Sequence, residues 1–188
     1  MFEPVIEIAD PKNKLLSFVN LAEAHVLSAL RSNYRVRLPK IRAALDYVTT
    51  HLGCEHPLIA QEFETDGISL FVTEFGKLFD ASEQGQQVMR DALQDRLTRL
   101  ERKDNKIVRL YPFTRPVPSA LNPKSVYIDP RYSFGRLVLA SIGIPTAALN
   151  ERFAAGESVE HLATDYGCNR LDIEEAIRCE GGSIGSAA

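Results

Sequence analysis

The segment from Ile144 to Glu180, IPTAALNERFAAGESVEHLATDYGCNRLDIEEAIRCE, constrains the chain most, because its residues have the spacing of three short helices around one tight turn. Two short helices that meet at a steep angle need small and apolar groups at fixed offsets. Ser158 is placed to cap the second helix, Leu162 and Ala163 face inward, and Ala163 is small enough to admit a neighbour. Gly167 supplies the turn, where a positive φ costs glycine little. Asn169 can cap the third helix, whose Ile173, Ala176 and Ile177 recur at the three-and-four spacing of a buried face. Pro145 leads into the first helix, which carries Leu149 and Phe153 on one side.

Such a tri-helical helix-turn-helix unit is a candidate nucleic-acid reader, but its charge argues otherwise. Between Thr146 and Glu180 the basic residues Arg152, Arg170 and Arg178 stand against Glu151, Glu157, Glu160, Asp165, Asp172, Glu174, Glu175 and Glu180. A helix docked in a major groove presents Arg, Lys, Asn or Gln. The exposed positions here read as Asn169, Arg170, Asp172, Glu174 and Glu175, of which only Asn169 and Arg170 suit DNA. Phosphates would repel most of that face. The unit is therefore expected to bind protein at least as readily as DNA.

The basic residues cluster elsewhere. The run RSNYRVRLPKIR places Arg31, Arg35, Arg37, Lys40 and Arg42 around the join of two helices, with Tyr34 among them. From residue 11 to 52 seven basic residues, including Lys12 and Lys14, stand against Glu23 and Asp46. Such a surface suits phosphate contact, since backbone contacts come from Arg, Lys and helix N-termini. A solvated helix edge is the alternative.

Over the whole chain of 188 residues the net charge is only −3, so no global positive field draws it to nucleic acid or anionic lipid. No apolar run reaches the length of a membrane span, and the opening MFEPVIEIAD lacks the basic start and apolar core of a secretory leader. A cytoplasmic protein is expected. Cys54, Cys168 and Cys179 are three at no framework spacing, which fits a reducing compartment.

Along the front half, Asn20 is read as a helix cap with Glu23 three residues on, and Val19, Ala22, Val26 and Leu30 mark the buried stripe of a helix ending near Ser32 and Asn33. A second helix starts at Pro39, carries Ile41, Leu45, Val48 and Leu52 on one face, and stops at Gly53. The two are expected to form a helical hairpin. ISLFVTEFGKLF, rich in β-formers, predicts one or two strands around a turn at Glu74 to Lys77, with Thr65, Asp66 and Gly67 as a turn before them. Ser82 opens a long helix through about Arg102, with Met89, Leu93, Leu97 and Leu100 as its seam and Asp95 paired with Arg99. That seam is either domain core or a dimer interface. Asp104 and Asn105 turn the chain into a strand, IVRLY. TRPVPSALNP reads as a linker, and GGSIGSAA as a flexible tail.

The fold expected is α+β, mainly α: a helical hairpin with a small antiparallel sheet, then the C-terminal tri-helical unit. The expected organisation is an N-terminal α+β module over 1–112, a proline-rich linker over 113–124, a helix-turn-helix domain over 125–180 and a tail over 181–188.

No catalytic arrangement stands out. His25, His51, His56 and His161 occur singly, and the glycines around Gly135 and Gly143 form neither a dinucleotide nor a phosphate loop. His51, Cys54 and His56 in HLGCEH could hint at zinc, but a fourth ligand is missing and the spacing matches no finger. The chain is read as a non-enzyme without cofactor or metal.

Beyond these local readings, VYIDPRYSFGR, GIPT, ERFAAGESVEHLATDYG and IEEAIR follow one another in the order and spacing of the domain of unknown function 433 that ends VapB-type antitoxins, and the chain resembles that family. The front half is similar to its longer members through LLSFVNLAEAHVL, VRLPKIRAALDYV, HPLIAQEFETDG and RLYPF. Two departures stand out. Leu137 replaces a proline, and Ser141 and Ile142 replace glycine and threonine, so the local turn is expected to differ. The longer members resemble MerR regulators and carry a winged helix-turn-helix before LLSF, whereas this sequence starts almost at LLSF. The DNA-reading helices are thus expected to be missing, by nature or by truncation.

The resemblance implies a type II antitoxin that neutralises a cognate PIN-domain ribonuclease, with Arg170 and Arg178 offered to the toxin's metal-binding carboxylates. It also implies operator DNA as a second partner and a homodimer, for which the helix from Ser82 is the first candidate interface. A transcription regulator without a toxin, or an interaction module without DNA binding, are the alternatives left open.

Overall fold

The structure is a computed structural model describing residues 4–34, 38–54, 56–61, 63–79, 82–115 and 122–181, with backbone only at 31–34 and 78–79. The chain divides into two compact units whose boundary lies between Ile107 and Val108. In keeping with the α+β expectation, helices dominate and a small antiparallel sheet runs in simple sequence order.

The first unit holds α1 (Phe18–Tyr34), α2 (Leu38–Leu52), α3 (Ile68–Phe79) and α4 (Glu83–Leu97), followed by strand β1 (Leu100–Lys103). Helix α1 packs on α4, α2 on α3, and α3 on α4. Ala22, Val26, Leu30, Ile41, Leu45 and Val48 are buried as their periodicity predicts. Gly53 stops α2 with φ 64° and its N–H bonded to the Thr49 carbonyl at 2.8 Å.

Three expectations are corrected in this unit. The cap of α1 is Ser17, not Asn20: Ser17 Oγ accepts from Asn20 N at 3.1 Å, and Asn20 Oδ1 accepts from Ser17 N at 3.1 Å, a reciprocal capping box. Asn20, buried inside the first turn, also accepts from Ala9 N and donates to the Glu7 carbonyl, fastening the preceding segment.

ISLFVTEFGKLF is helix α3 rather than strands, and Thr65, Asp66 and Gly67 belong to a wide helical turn, Phe63–Gly67, that leads into it. Ile68, Phe71, Val72 and Phe75 are all buried, at offsets of three, four and seven that suit a helix face. Their β-propensity is overridden by this burial. The rings of Phe71 and Phe75 stack at 5.6 Å, and Phe63 meets Phe71 edge-on at 6.2 Å. Gly67 permits the approach, since a Cβ there would lie 2.7 Å from Phe63 Cδ2 and 3.0 Å from Leu52 Cδ1.

Helix α4 is capped by Ser82, whose Oγ accepts from Gly85 N at 3.2 Å, but it ends at Leu97 rather than near Arg102. Asp104 and Asn105 take φ of 51° and 59°, the left-handed pair of a tight hairpin, and such a turn needs extended arms on both sides. Leu100–Lys103 is therefore strand, and Arg99 lies past the helix rather than one turn on from Asp95 within it. Met89, Leu93 and Leu97 are consumed in the unit's own core.

Strand β2 (Lys106–Leu110) carries the chain into the second unit, which holds β3 (Val126–Ile128), β4 (Leu137–Leu139), β5 (Ile144–Pro145), α5 (Thr146–Ala154), α6 (Val159–Tyr166) and α7 (Arg170–Cys179). Its strands pair antiparallel, with Leu110 opposite Ile128, Val126 opposite Leu139, and Leu139 opposite Ile144. Val126, Leu139, Leu149, Val159, Leu162, Ile173, Ala176 and Ile177 form one core between sheet and helices. Where the sequence departs from the family pattern, Leu137 opens β4 opposite Ile128, and the following turn closes with Gly143 N donating to the Leu139 carbonyl at 2.8 Å.

Candidate functional site

The turn of the helix-turn-helix is built as its residues predict. Ser158 Oγ caps α6 by accepting from His161 N at 3.1 Å. Gly167 ends α6 at φ 65°, ψ 37°, a left-handed stop that a side chain would strain. Asn169 occupies the cap position of α7 but makes no side-chain capping bond.

The face of α7 differs from the sequence reading at one position. Glu175, read as exposed, is 1% exposed. Its Oε1 accepts from Arg115 Nη2 at 2.7 Å, Arg115 Nε at 3.1 Å and Arg178 Nη1 at 2.6 Å. Burial alone would raise its pKa, but Thr114, Arg115 and Arg178 outweigh that and hold it below the ordinary value. The period of α7 turns this carboxylate inward beside Ala176, and only charged partners make that tolerable.

The cations on these helices are bound within the unit. Arg170 donates Nε to Glu174 Oε1 at 2.8 Å and lies 3.1 Å from Glu160 Oε1, so it clasps α7 to α6. Arg178 is taken by Glu175. Arg152 binds Glu157 and Asp165, lies 5.1 Å from the Tyr166 ring centre, and is held firmly protonated by those partners. What α5 to α7 leave outward includes Asn169, Leu171 and acidic side chains.

Of the basic cluster in the first unit, Arg35 and Arg37 lie outside the described residues, as does the side chain of Arg31. Lys40 is exposed on the first turn of α2. Arg42 is half-buried and lines a cavity of about 380 Å³ together with Glu7, Glu23, Asp46 and His56. The structure thus sets Arg42 among acids of its own chain rather than beside Lys40 on an outer face. Glu23, buried, holds His56 Nδ1 at 3.1 Å.

His51 bonds the Tyr47 carbonyl at 2.7 Å, and His56 is taken by Glu23, so the histidines of HLGCEH point to separate partners. Among the described residues no group of three or more His, Cys, Asp or Glu could hold a metal ion, and no helix is long and apolar enough to cross a membrane.

One cluster escaped the sequence reading. Asp129, at the end of β3, is fully buried. It accepts from Arg131 N and Nε through Oδ1 at 3.0 and 2.9 Å, and from Arg131 Nη2 and Arg109 Nε through Oδ2 at 2.8 and 3.3 Å. The side-chain bonds from Arg131, against the opposing cost of burial, push its pKa down to about 2. Arg109 also lies over the Tyr127 ring at 4.7 Å. The D-P-R run was the available signal, since Asp before Pro favours a turn that an Asp side chain closes.

These geometries have parallels among known proteins. Residues 126–178, from the first residue of β3 to the last turn of α7, match the family "Protein of unknown function (DUF433)". The Mycobacterium tuberculosis protein "Putative antitoxin VapB45" is 25% identical over 174 residues, spanning 86% of this chain and 70% of its own length. The crystal structure of Rv2018 from Mycobacterium tuberculosis has a similar fold, with a TM-score of 0.65 at 24% identity over 86% of this chain and 78% of that one. Residues 126–178 thus match the DUF433 family model, and the chain that carries them is similar over most of its length to a protein named "Putative antitoxin VapB45".

Proposed function

We propose that this chain is an antitoxin that binds and neutralises a PIN-domain ribonuclease and contacts operator DNA through its first unit. The observation that carries the protein-binding half is the internal commitment of the cations on α5 to α7. A groove reader keeps Arg or Lys open toward bases and phosphates. Here Arg170, Arg178 and Arg152 all bind carboxylates of their own unit, which leaves an acidic face unsuited to phosphate. The similarity to an antitoxin over most of the chain supports a protein partner.

DNA contact rests on the basic segment from Arg31 to Arg42, represented among described exposed side chains by Lys40, while Arg42 lines the cavity. Homodimerisation would pair two such segments on a two-fold operator. Because Met89, Leu93 and Leu97 are buried within one unit, a dimer through α4 would use the opposite face, where Val88 is 49% exposed.

The test is co-expression with the reading frame adjacent to the chain's own gene. Relief of growth arrest and co-purification of a complex are expected. Persistent arrest with no complex would refute the antitoxin reading.

A further inference from the structure

The connection between β3 and β4 is built unlike an ordinary surface loop. Ser133, Phe134 and Gly135 follow one another with φ of 47°, 55° and 74°, so two residues with side chains sit in the left-handed region beside the glycine. That conformation is disfavoured for a residue that carries a Cβ. It persists because the loop is tied at its base: Asp129 holds Arg131 by three bonds, Tyr132 N donates to the Asp129 carbonyl at 2.9 Å, and Gly135 N donates to the Tyr132 carbonyl at 2.9 Å. The result is a tip that puts Phe134 into solvent at 99% exposure, with Tyr132 beside it at 54%.

Such a tip is costly unless something covers it. Strained backbone retained by surrounding structure is a mark of binding sites. A rigid, exposed aromatic pair next to arginine has the composition of an interface hot spot. Charge indicates the kind of surface it meets. From Val108 to Pro145 the unit carries Arg109, Arg115, Lys124, Arg131 and Arg136 against Asp129 alone, a balance of plus four, while Thr146 to Gly181 carries minus five. The loop thus belongs to the positive stretch of the unit's sequence, of which Arg115 is taken by Glu175 of α7. Arg109 and Arg131 are engaged by Asp129, and Arg136 is exposed at the end of the loop.

We propose that the Tyr132–Arg136 tip is the anchor by which this chain grips its protein partner, with Phe134 entering an apolar pocket and Arg136 meeting carboxylates on that pocket's rim. The assignment rests on the antitoxin reading above and names the surface that carries it. A protein fits better than a nucleic acid. Phosphate tracking needs several open cations along a groove, whereas two of the arginines nearest the tip bind an acid of the loop itself, and the helices of the same unit are strongly acidic.

The experiment uses the full chain with the product of the adjacent reading frame, and measures affinity for wild type, Phe134→Ser, Arg136→Glu and the control Leu171→Ser. Leu171 is 65% exposed on α7, so it tests whether any exposed apolar group would serve. Loss of 30-fold or more for Phe134→Ser and tenfold or more for Arg136→Glu is expected, with Leu171→Ser near wild type and all melting temperatures unchanged. A wild-type complex that both loop variants leave intact overturns the loop assignment alone. No complex with the wild-type chain overturns the antitoxin reading and this assignment together. Variants that keep the complex but lose binding to the chain's own promoter DNA make the tip a nucleic-acid contact and overturn the proposal.

Discussion

Arg115 closes on Glu175: its Nη2 and Nε donate to one carboxylate oxygen at 2.7 and 3.1 Å across sixty residues of chain. The proline-rich segment that begins near Arg115 is thus anchored at its described start to the inner face of α7. Thr114 is buried beside the same carboxylate, and Arg178 completes the cluster from one turn further along the helix.

Glu175→Gln keeps the shape of the side chain but removes the charge that two arginines share. The expected loss is roughly 2–3 kcal/mol in the stability of the second unit, less than for a deeply buried pair because both arginines remain about one-third exposed. Urea unfolding at neutral pH measures it, and an unchanged midpoint would show that the cluster contributes nothing net.

Acid should unfold the second unit through Asp129 and Glu175. Both carboxylates have folded pKa values below their ordinary 3.8 and 4.5, Asp129 at about 2. A depressed value means the folded state binds its proton less readily than the unfolded chain. Their stabilisation is therefore fully present above about pH 5 and falls as pH drops toward about 2. In Asp129→Asn that dependence should flatten, which circular dichroism across the same range would read.

Gly67→Ala should destabilise the first unit by about 1–3 kcal/mol, because the new methyl group would press on Phe63 and Leu52 at 2.7 and 3.0 Å. Gly53→Ala meets no neighbour within 4 Å and should cost only about 1 kcal/mol, from its left-handed backbone. Thermal melts of the two variants side by side separate packing from backbone strain.

Arg170→Ala breaks exposed pairs with Glu160 and Glu174 and should change stability by less than about 1 kcal/mol. With the fold kept, promoter binding should be unaffected by Arg170→Ala and weakened severalfold by Lys40→Glu, with a steep salt dependence. A gel shift in which Arg170→Ala abolishes binding would restore α7 as a reading helix.

Much of the second unit was legible in the sequence. Ser158, Gly167 and the Ile173, Ala176, Ile177 stripe specify caps, turn and buried face within a few residues of one another, and local backbone chemistry is enough to read them. The first unit was less so at ISLFVTEFGKLF, where β-branched and aromatic residues favour a strand locally while their offsets favour a helix. Burial against α2 and α4 decides between the two, and no local preference contains it.

The sequence by itself determined where charge lies: a basic stretch from Arg31 to Arg42, an acidic run of helices, and the turn that joins them. Only the tertiary structure decided what each charge does. Glu175 and Asp129 look like surface acids in a string of letters, yet both are buried, because arginines distant in sequence or folded back by a turn compensate their desolvation. Phe134, a large apolar residue, is left in solvent, because a loop tied down by Asp129 points it outward. The pairing of Glu175 with Arg115 depends on segments sixty residues apart, and the direction of the loop on a particular set of bonds among residues 129–135, neither of which periodicity and propensity carry.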